Sequence, residues 1–270
     1  MKPFVGIGIT TYLDISSVQH GAVVFEAYEK FAPTLAPDNV RIHSLKFPVS
    51  DAQSFANHWR TEAPFEVRED RGRGALVERG NFIIGAEWRR AGRGGGEATF
   101  RPEMQNDRPD CLLIKHPYSV GPNWLGLFRR LVDICRPSYA MLHLFTEEEV
   151  KGAKGDRFKK FDGPFAGEEH FVSWRSSLGE WRKPDKWQHE ERRTYRFLPN
   201  LSWANFLGLE FAGQFEEAQI ERKAANISSS ETGLLFTVTD DISDALKDID
   251  RFEASRRNLR AAFKDGFFRT

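Results

Sequence analysis

The stretch 110-DCLLIKHPYSVGPNWLGLFRRLVDICRPSYAMLHLF-145 decides the fold. Its first part, Asp110 to His116, holds Cys111, Leu112, Leu113 and Ile114 in one apolar run, which predicts a strand buried on both faces. From Trp124 to Cys135, Leu125, Phe128, Leu131, Val132 and Cys135 recur at helical steps, which predicts a helix that Pro137 stops. Tyr139 to Phe145 is apolar again and predicts a second buried strand. Strand, helix and strand in this order form a right-handed crossover if the two strands are parallel neighbours.

Toward the N-terminus, Pro3 to Thr10 sets Phe4, Val5, Ile7 and Ile9 among small or polar neighbours, the alternation of a strand. Ala22, Phe25, Tyr28, Phe31 and Leu35 then mark a helix over Ser17 to Leu35, with Ser16 or Ser17 as its cap. A strand is expected over Val40 to Phe47, a short helix over Ala52 to Arg60 and an edge strand or turn at Phe65 to Val67. Ala75 to Arg79 and Phe82 to Arg90 read as strands joined by the turn Arg79-Gly80-Asn81, with a third strand around Ala98 to Arg101.

Beyond residue 195, Leu198 to Phe215 is aromatic-rich and interrupted by Gly208 and Gly213. Ala218 to Ala225 and Gly233 to Thr239 read as antiparallel strands across a polar connection at Asn226 to Thr232. A helix over Ser243 to Phe263 has aspartates at its start and Arg256, Arg257, Arg260 and Lys264 at its end, matching the helix dipole. These elements define an α+β class: a mixed, largely antiparallel sheet with helices packed on its faces. The expected organisation is a single domain, 1–270, with a charged insertion at 151–194; two similar subdomains joined near 146–195 are the alternative.

Lysine plus arginine and aspartate plus glutamate number 39 each in the 270 residues, so net charge does not point to nucleic acid or anionic membrane. No apolar run is long enough to span a bilayer, and the first residues lack the pattern of a secretory signal. Cys111 and Cys135 are too few for a disulfide framework and suit a reducing, cytoplasmic setting. The 23 phenylalanines, with seven tryptophans and five tyrosines, raise aromatic content to 13%, most of it expected in the core.

Signatures of catalysis are sparse. No metal-ligand spacing, nucleophile elbow or activated-thiol motif occurs, so no catalytic residue, metal or cofactor is assigned. The enzyme alternative is a hydrolase or transferase using His116, His143 and Glu147 to Glu149, if the ends of the two central strands bring them together. Arg71-Gly72-Arg73-Gly74 and Arg93-Gly94-Gly95-Gly96 do not sit between a strand and a helix, as a phosphate loop does, and are expected to be mobile hairpin connections.

The insertion interleaves tryptophan with charge. Trp174, Arg175, Trp181, Arg182 and Trp187, with Glu168, Glu169, Glu190 and Glu191, have the composition of a protein-binding hot spot. Its acidic members dilute the positive charge, which weighs against nucleic acid as the partner.

Taken in order, Trp124-Leu125-Gly126-Leu127-Phe128, the LSWANFLG stretch at Leu201 to Gly208, the Gly233-Leu234-Leu235-Phe236-Thr237-Val238 strand and the acidic-headed final helix resemble bacterial immunity proteins of polymorphic-toxin and type VI secretion systems, particularly the immunity protein 52 family. The resemblance covers about the final 75 residues and, more loosely, residues 1–150; the insertion does not align. It implies a cytoplasmic protein that binds a cognate toxin and neutralises it without catalysis, with the insertion residues named above as the toxin-binding set.

Overall fold

The computed structural model describes residues 3–42, 45–68, 74, 76–100, 109–146, 198 and 200–268. Its strands are β1 (Phe4–Thr11), β2 (Asn39–Ile42), β3 (Leu45–Pro48), β4 (Arg60–Arg68), β5 (Leu76–Gly85), β6 (Glu87–Arg90), β7 (Gly94–Thr99), β8 (Asp110–Pro117), β9 (Tyr139–Phe145), β10 (Ala204–Gly208), β11 (Asn226–Ser230) and β12 (Gly233–Thr237). Its helices are α1 (Val18–Phe31), α2 (Ala52–Ala56), α3 (Trp124–Cys135), α4 (Glu217–Lys223), α5 (Asp244–Lys247) and α6 (Ile249–Arg260).

Ten strands form one sheet in the order β11-β12-β10-β9-β1-β8-β7-β6-β2-β3, and β4 pairs with β5 apart from it. The fold is α+β. The decisive stretch differs from its expected form in two respects: β8 is buried on one face only, with Cys111 and Leu113 half-buried and Lys115 exposed on the other, and β8 and β9 are not neighbours, because β1 lies between them, antiparallel to both, with Ile7 opposite Ile114 and Leu142. Every residue of β1 and β9 is buried, so their apolar runs record two covered faces and carry no information about which strand lies alongside. Strands from both sides of residues 147–197 join this sheet, since β10 pairs with β9.

Alternation along β1 assigns the two faces. On one, Tyr28 of α1 and Trp124 of α3 lie against His116; on the other, Phe252 of α6 lies against His143. Asn123 caps α3 by accepting from Gly126 N at 2.9 Å, and Arg136, at φ 42°, closes it in the left-handed conformation. The four tryptophans among the described residues are all buried: Trp59, Trp88, Trp124 and Trp203.

Several local expectations are corrected. Val40 to Phe47 is a hairpin, β2 with β3, rather than one strand. Arg79-Gly80-Asn81 does not turn: it runs inside β5, with Gly80 opposite Phe65, and the reversal falls between Arg68 and Leu76. Gly94 to Gly96 is not a loop but part of β7, where the Lys115 carbonyl and φ 83° explain Gly94 and Trp88 explains the other two. A Cβ on Gly95 would lie 1.9 Å from the Trp88 carbonyl oxygen, and one on Gly96 2.4 Å from its ring.

Ala218 to Ala225 is mostly helical, and the polar run after it is strand β11. The helix-forming residues Glu217, Ala218, Gln219, Glu221, Arg222 and Lys223 outweigh the period-two reading, and only Ile220 of α4 is buried. The last helix is two, α5 and α6, broken at Asp248, whose carboxylate caps α6 by accepting from Arg251 N at 3.1 Å.

Candidate protein-binding surface

The site expected of an enzyme does not assemble around the two strand histidines. His116 stands opposite Val5 of β1, and His143 opposite Gly6. Adjacent strand residues point to opposite faces, so the two imidazoles are turned away from each other across the sheet. Both are fully buried. Glu147 to Glu149 lie outside the described residues, and among the described residues no three His, Cys, Asp or Glu side chains are grouped to hold a metal ion.

His116 belongs to a polar chain inside the core. Trp88 Nε1 donates to the Tyr28 hydroxyl at 3.2 Å, the hydroxyl lies 3.2 Å from His116 Nε2, and His116 Nδ1 is 2.5 Å from the Arg93 carbonyl oxygen. Since the carbonyl only accepts, Nδ1 carries the proton and Nε2 accepts from Tyr28. Burial lowers the His116 pKa to about 4 against the pull of the Arg93 carbonyl, and burial raises that of Tyr28. These groups stay neutral at physiological pH. Burial, with Asp110 adding to it, likewise pushes the Cys135 thiol up to about 12, which removes it as a nucleophile.

A groove opens at the sheet end where β8 and β9 finish. It has a volume of about 340 Å³ and lies between the β8–α3 connection and the β12–α5 connection. Tyr118, Trp124, Trp203 and Ile242 line it with the exposed Val120 and Leu246, and Asp240, Asp241 and Lys247 supply its charge. Val120 is 87% exposed, an apolar side chain placed in water by the bend it forms with Gly121 and Pro122.

Its two tryptophans are fixed from beneath. Trp124 Nε1 donates to the Ser119 carbonyl and Trp203 Nε1 to the Thr239 hydroxyl, each at 3.1 Å. Behind Trp124 packs His116, with ring centroids 6.2 Å apart, and behind Trp203 stands His143, whose Nδ1 accepts the Trp203 backbone N–H at 3.1 Å. The histidines therefore buttress the groove from opposite sides of the sheet.

The charge beside the groove is acidic. Asp240 and Asp241 are exposed at its rim, with Asp244, Asp248 and Asp250 following against Lys247 and Arg251. The Ser243 backbone N–H, hydrogen-bonded to Asp241 at 2.8 Å, holds that carboxyl below its ordinary pKa. An apolar, tryptophan-floored groove with an ionised acidic rim matches a partner segment that is apolar and basic. A larger groove between α1 and α3, about 670 Å³, is lined by Glu26, Lys30, Arg129, Arg130 and Asp133, whose opposite charges select no such partner.

The toxin-binding set expected from sequence, Glu168, Glu169, Trp174, Arg175, Trp181, Arg182, Trp187, Glu190 and Glu191, lies outside the described residues. The groove itself escaped sequence reading. Its aspartates are equally explained as helix-start charges, and its one local signal is an apolar Val120 inside a turn-forming run.

No protein-family model matches the chain, and no curated protein matches it, so its resemblance to the immunity protein 52 family gains no support from those comparisons. Among solved structures it is similar to the Pseudomonas aeruginosa T6SS protein PA0821, with a TM-score of 0.53 and 11% identity over 99% of this chain and 77% of that one. At that identity the likeness shows a shared fold. No helix among the described residues is long and apolar enough to cross a membrane.

Proposed function

We propose that this chain is a partner-binding protein of a type VI secretion-related system, and specifically an immunity protein that binds a cognate toxin in the cytoplasm and neutralises it without chemistry of its own. The observation that carries the reading is the likeness to a T6SS protein over nearly the whole chain. The groove supports it independently of any relative: two buttressed tryptophans, the exposed Val120 and Leu246, and the acidic rim have the chemistry of a hot spot for an apolar, basic segment. A toxin that acts on nucleic acid presents such a surface. The insertion residues Trp174, Arg175, Trp181, Arg182 and Trp187 and the four neighbouring glutamates are proposed as a second contact set of the same kind. The hydrolase or transferase reading is not favoured, because His116 and His143, which it needs together, face apart across the sheet.

The test is purification of the tagged protein from its native bacterium with washing at high salt, followed by expression of any recovered partner in cells with and without this chain. A single stoichiometric partner that is toxic alone and harmless beside this chain is the expected result. Recovery of the chain alone while its genomic neighbours are expressed, or a partner whose toxicity it leaves unchanged, contradicts the proposal.

A further inference from the structure

Ser243 stands in the β12–α5 connection and lines the groove. It is 3% exposed, and its hydroxyl has no hydrogen-bond partner among the described residues. Its backbone N–H donates to Asp241 at 2.8 Å, so the main chain holds the residue in place and the side chain is left over. A buried hydroxyl without a partner is unfavourable, and such groups are few in a folded protein. The Ser138 hydroxyl is in the same condition but lines neither groove. That of Ser243 borders a space of about 340 Å³, which admits a side chain from outside.

The groups around it define that side chain. Asp240 and Asp241 bring two carboxylates to the groove and Lys247 one ammonium, which leaves it net negative, while Val120, Ile242 and Leu246 line it with apolar surface. Both indole N–H groups of its floor are already taken, by Ser119 and Thr239. The complement is a cation with several donors on an apolar stem. We infer that the partner places an arginine side chain in this groove, its guanidinium meeting the Asp241 carboxylate and the Ser243 hydroxyl and its methylenes lying along the apolar lining. The inference rests on the groove being the partner-binding surface, and adds the residue that the groove reads. Arginine suits the site better than lysine. Its planar fork donates in several directions at once, so a carboxylate and a hydroxyl are met together, and it is less tightly hydrated than an ammonium, so it enters a buried site more readily. Its stem packs on apolar side chains while the charged head reaches the rim.

The test is an NMR titration of the isotope-labelled full chain with acetyl-Leu-Arg-amide, acetyl-Leu-Lys-amide and acetyl-Leu-citrulline-amide, read at the Ser243 backbone N–H and the Trp203 indole N–H. The arginine peptide shifts both signals to saturation. The lysine peptide binds about fivefold more weakly, and the citrulline peptide, of the same shape without the charge, at least about tenfold more weakly. Ser243→Ala weakens the arginine peptide about fivefold while the thermal midpoint stays at or above that of wild type, because the hydroxyl it removes has no partner to lose; Ser138→Ala leaves binding as it was. Asp241→Asn keeps an oxygen for the Ser243 N–H and weakens binding about tenfold. No saturable shift with the arginine peptide, equal affinity for the arginine and citrulline peptides, or undiminished binding by Ser243→Ala overturns the inference. The immunity reading falls separately: a chain that binds the arginine peptide but protects against no toxin loses that reading and keeps this one, and a toxin held through the groove by a chain indifferent to the arginine peptide does the reverse.

Discussion

The backbone N–H of Trp203 donates to Nδ1 of His143 at 3.1 Å, so a histidine buried in the central sheet holds the first residue of the groove floor in place. The imidazole is a structural acceptor here. Replacing it with Leu roughly keeps the volume and removes the acceptor. The His143→Leu variant is expected to lose about 1–3 kcal/mol of unfolding free energy through the orphaned N–H, read from the urea midpoint. A wild-type midpoint would contradict this role.

His116 makes stability depend on pH. Its folded pKa is about 4, below the ordinary 6.5, so the unfolded chain binds the extra proton between those values. Stability from this residue is therefore full above pH 6.5 and is lost as pH falls toward 4, with a slope of about 1.4 kcal/mol per unit and a total of about 3 kcal/mol. Unfolding measured across that window should show the slope in the wild type and lack most of it in His116→Gln, which can still accept from Tyr28. Equal slopes in both proteins would count against the buried neutral assignment.

Trp88 makes the glycines of β7 unequal to the one before them. Gly95→Ala drives a Cβ to 1.9 Å from the Trp88 carbonyl oxygen and should cost more than about 3 kcal/mol or prevent folding. Gly92, at φ 67°, has nothing near its missing Cβ, so Gly92→Ala should cost only its conformational strain, about 1 kcal/mol. Thermal unfolding of the two variants separates steric from conformational cost, and similar midpoints would refute the difference.

The sheet also predicts how the chain behaves when cut. A protease site engineered within residues 151–194 should, once cleaved, leave fragments that co-elute in native buffer and part only in denaturant, because β10 pairs with β9, which shares its sheet with β1 and β8. Separation in native buffer would favour the two-subdomain organisation.

Helix and strand type were legible wherever burial was one-sided or complete. The apolar spacing of α3 and the continuous run of β9 are strong signals because long stretches bury the same pattern, whereas the apolar run of β8 overstated its burial, which alternates along the strand. Neighbour relations were not legible: Ile7 fits between Ile114 and Leu142 for reasons of sheet order that no period encodes. Local misreadings have local causes. Gly80 suggested a turn, yet it sits across from Phe65 in a paired strand, and Ser228 to Ser230 suggested a loop, yet they are the sheet's edge. The groove was least legible, since Val120, Trp203 and Leu246 meet only in three dimensions.

The exposed groove residues give the most direct test. Val120→Asp alters a side chain already in water and should leave stability within about 0.5 kcal/mol of wild type, while Leu246→Asp, at a side chain more than half covered, should cost about 1 kcal/mol. In a purification from the native bacterium, the double variant is expected to retain at least about tenfold less of the partner held by the wild type, since it adds acidic charge where apolar contact was made. Undiminished retention by a folded double variant would contradict the groove as the binding surface.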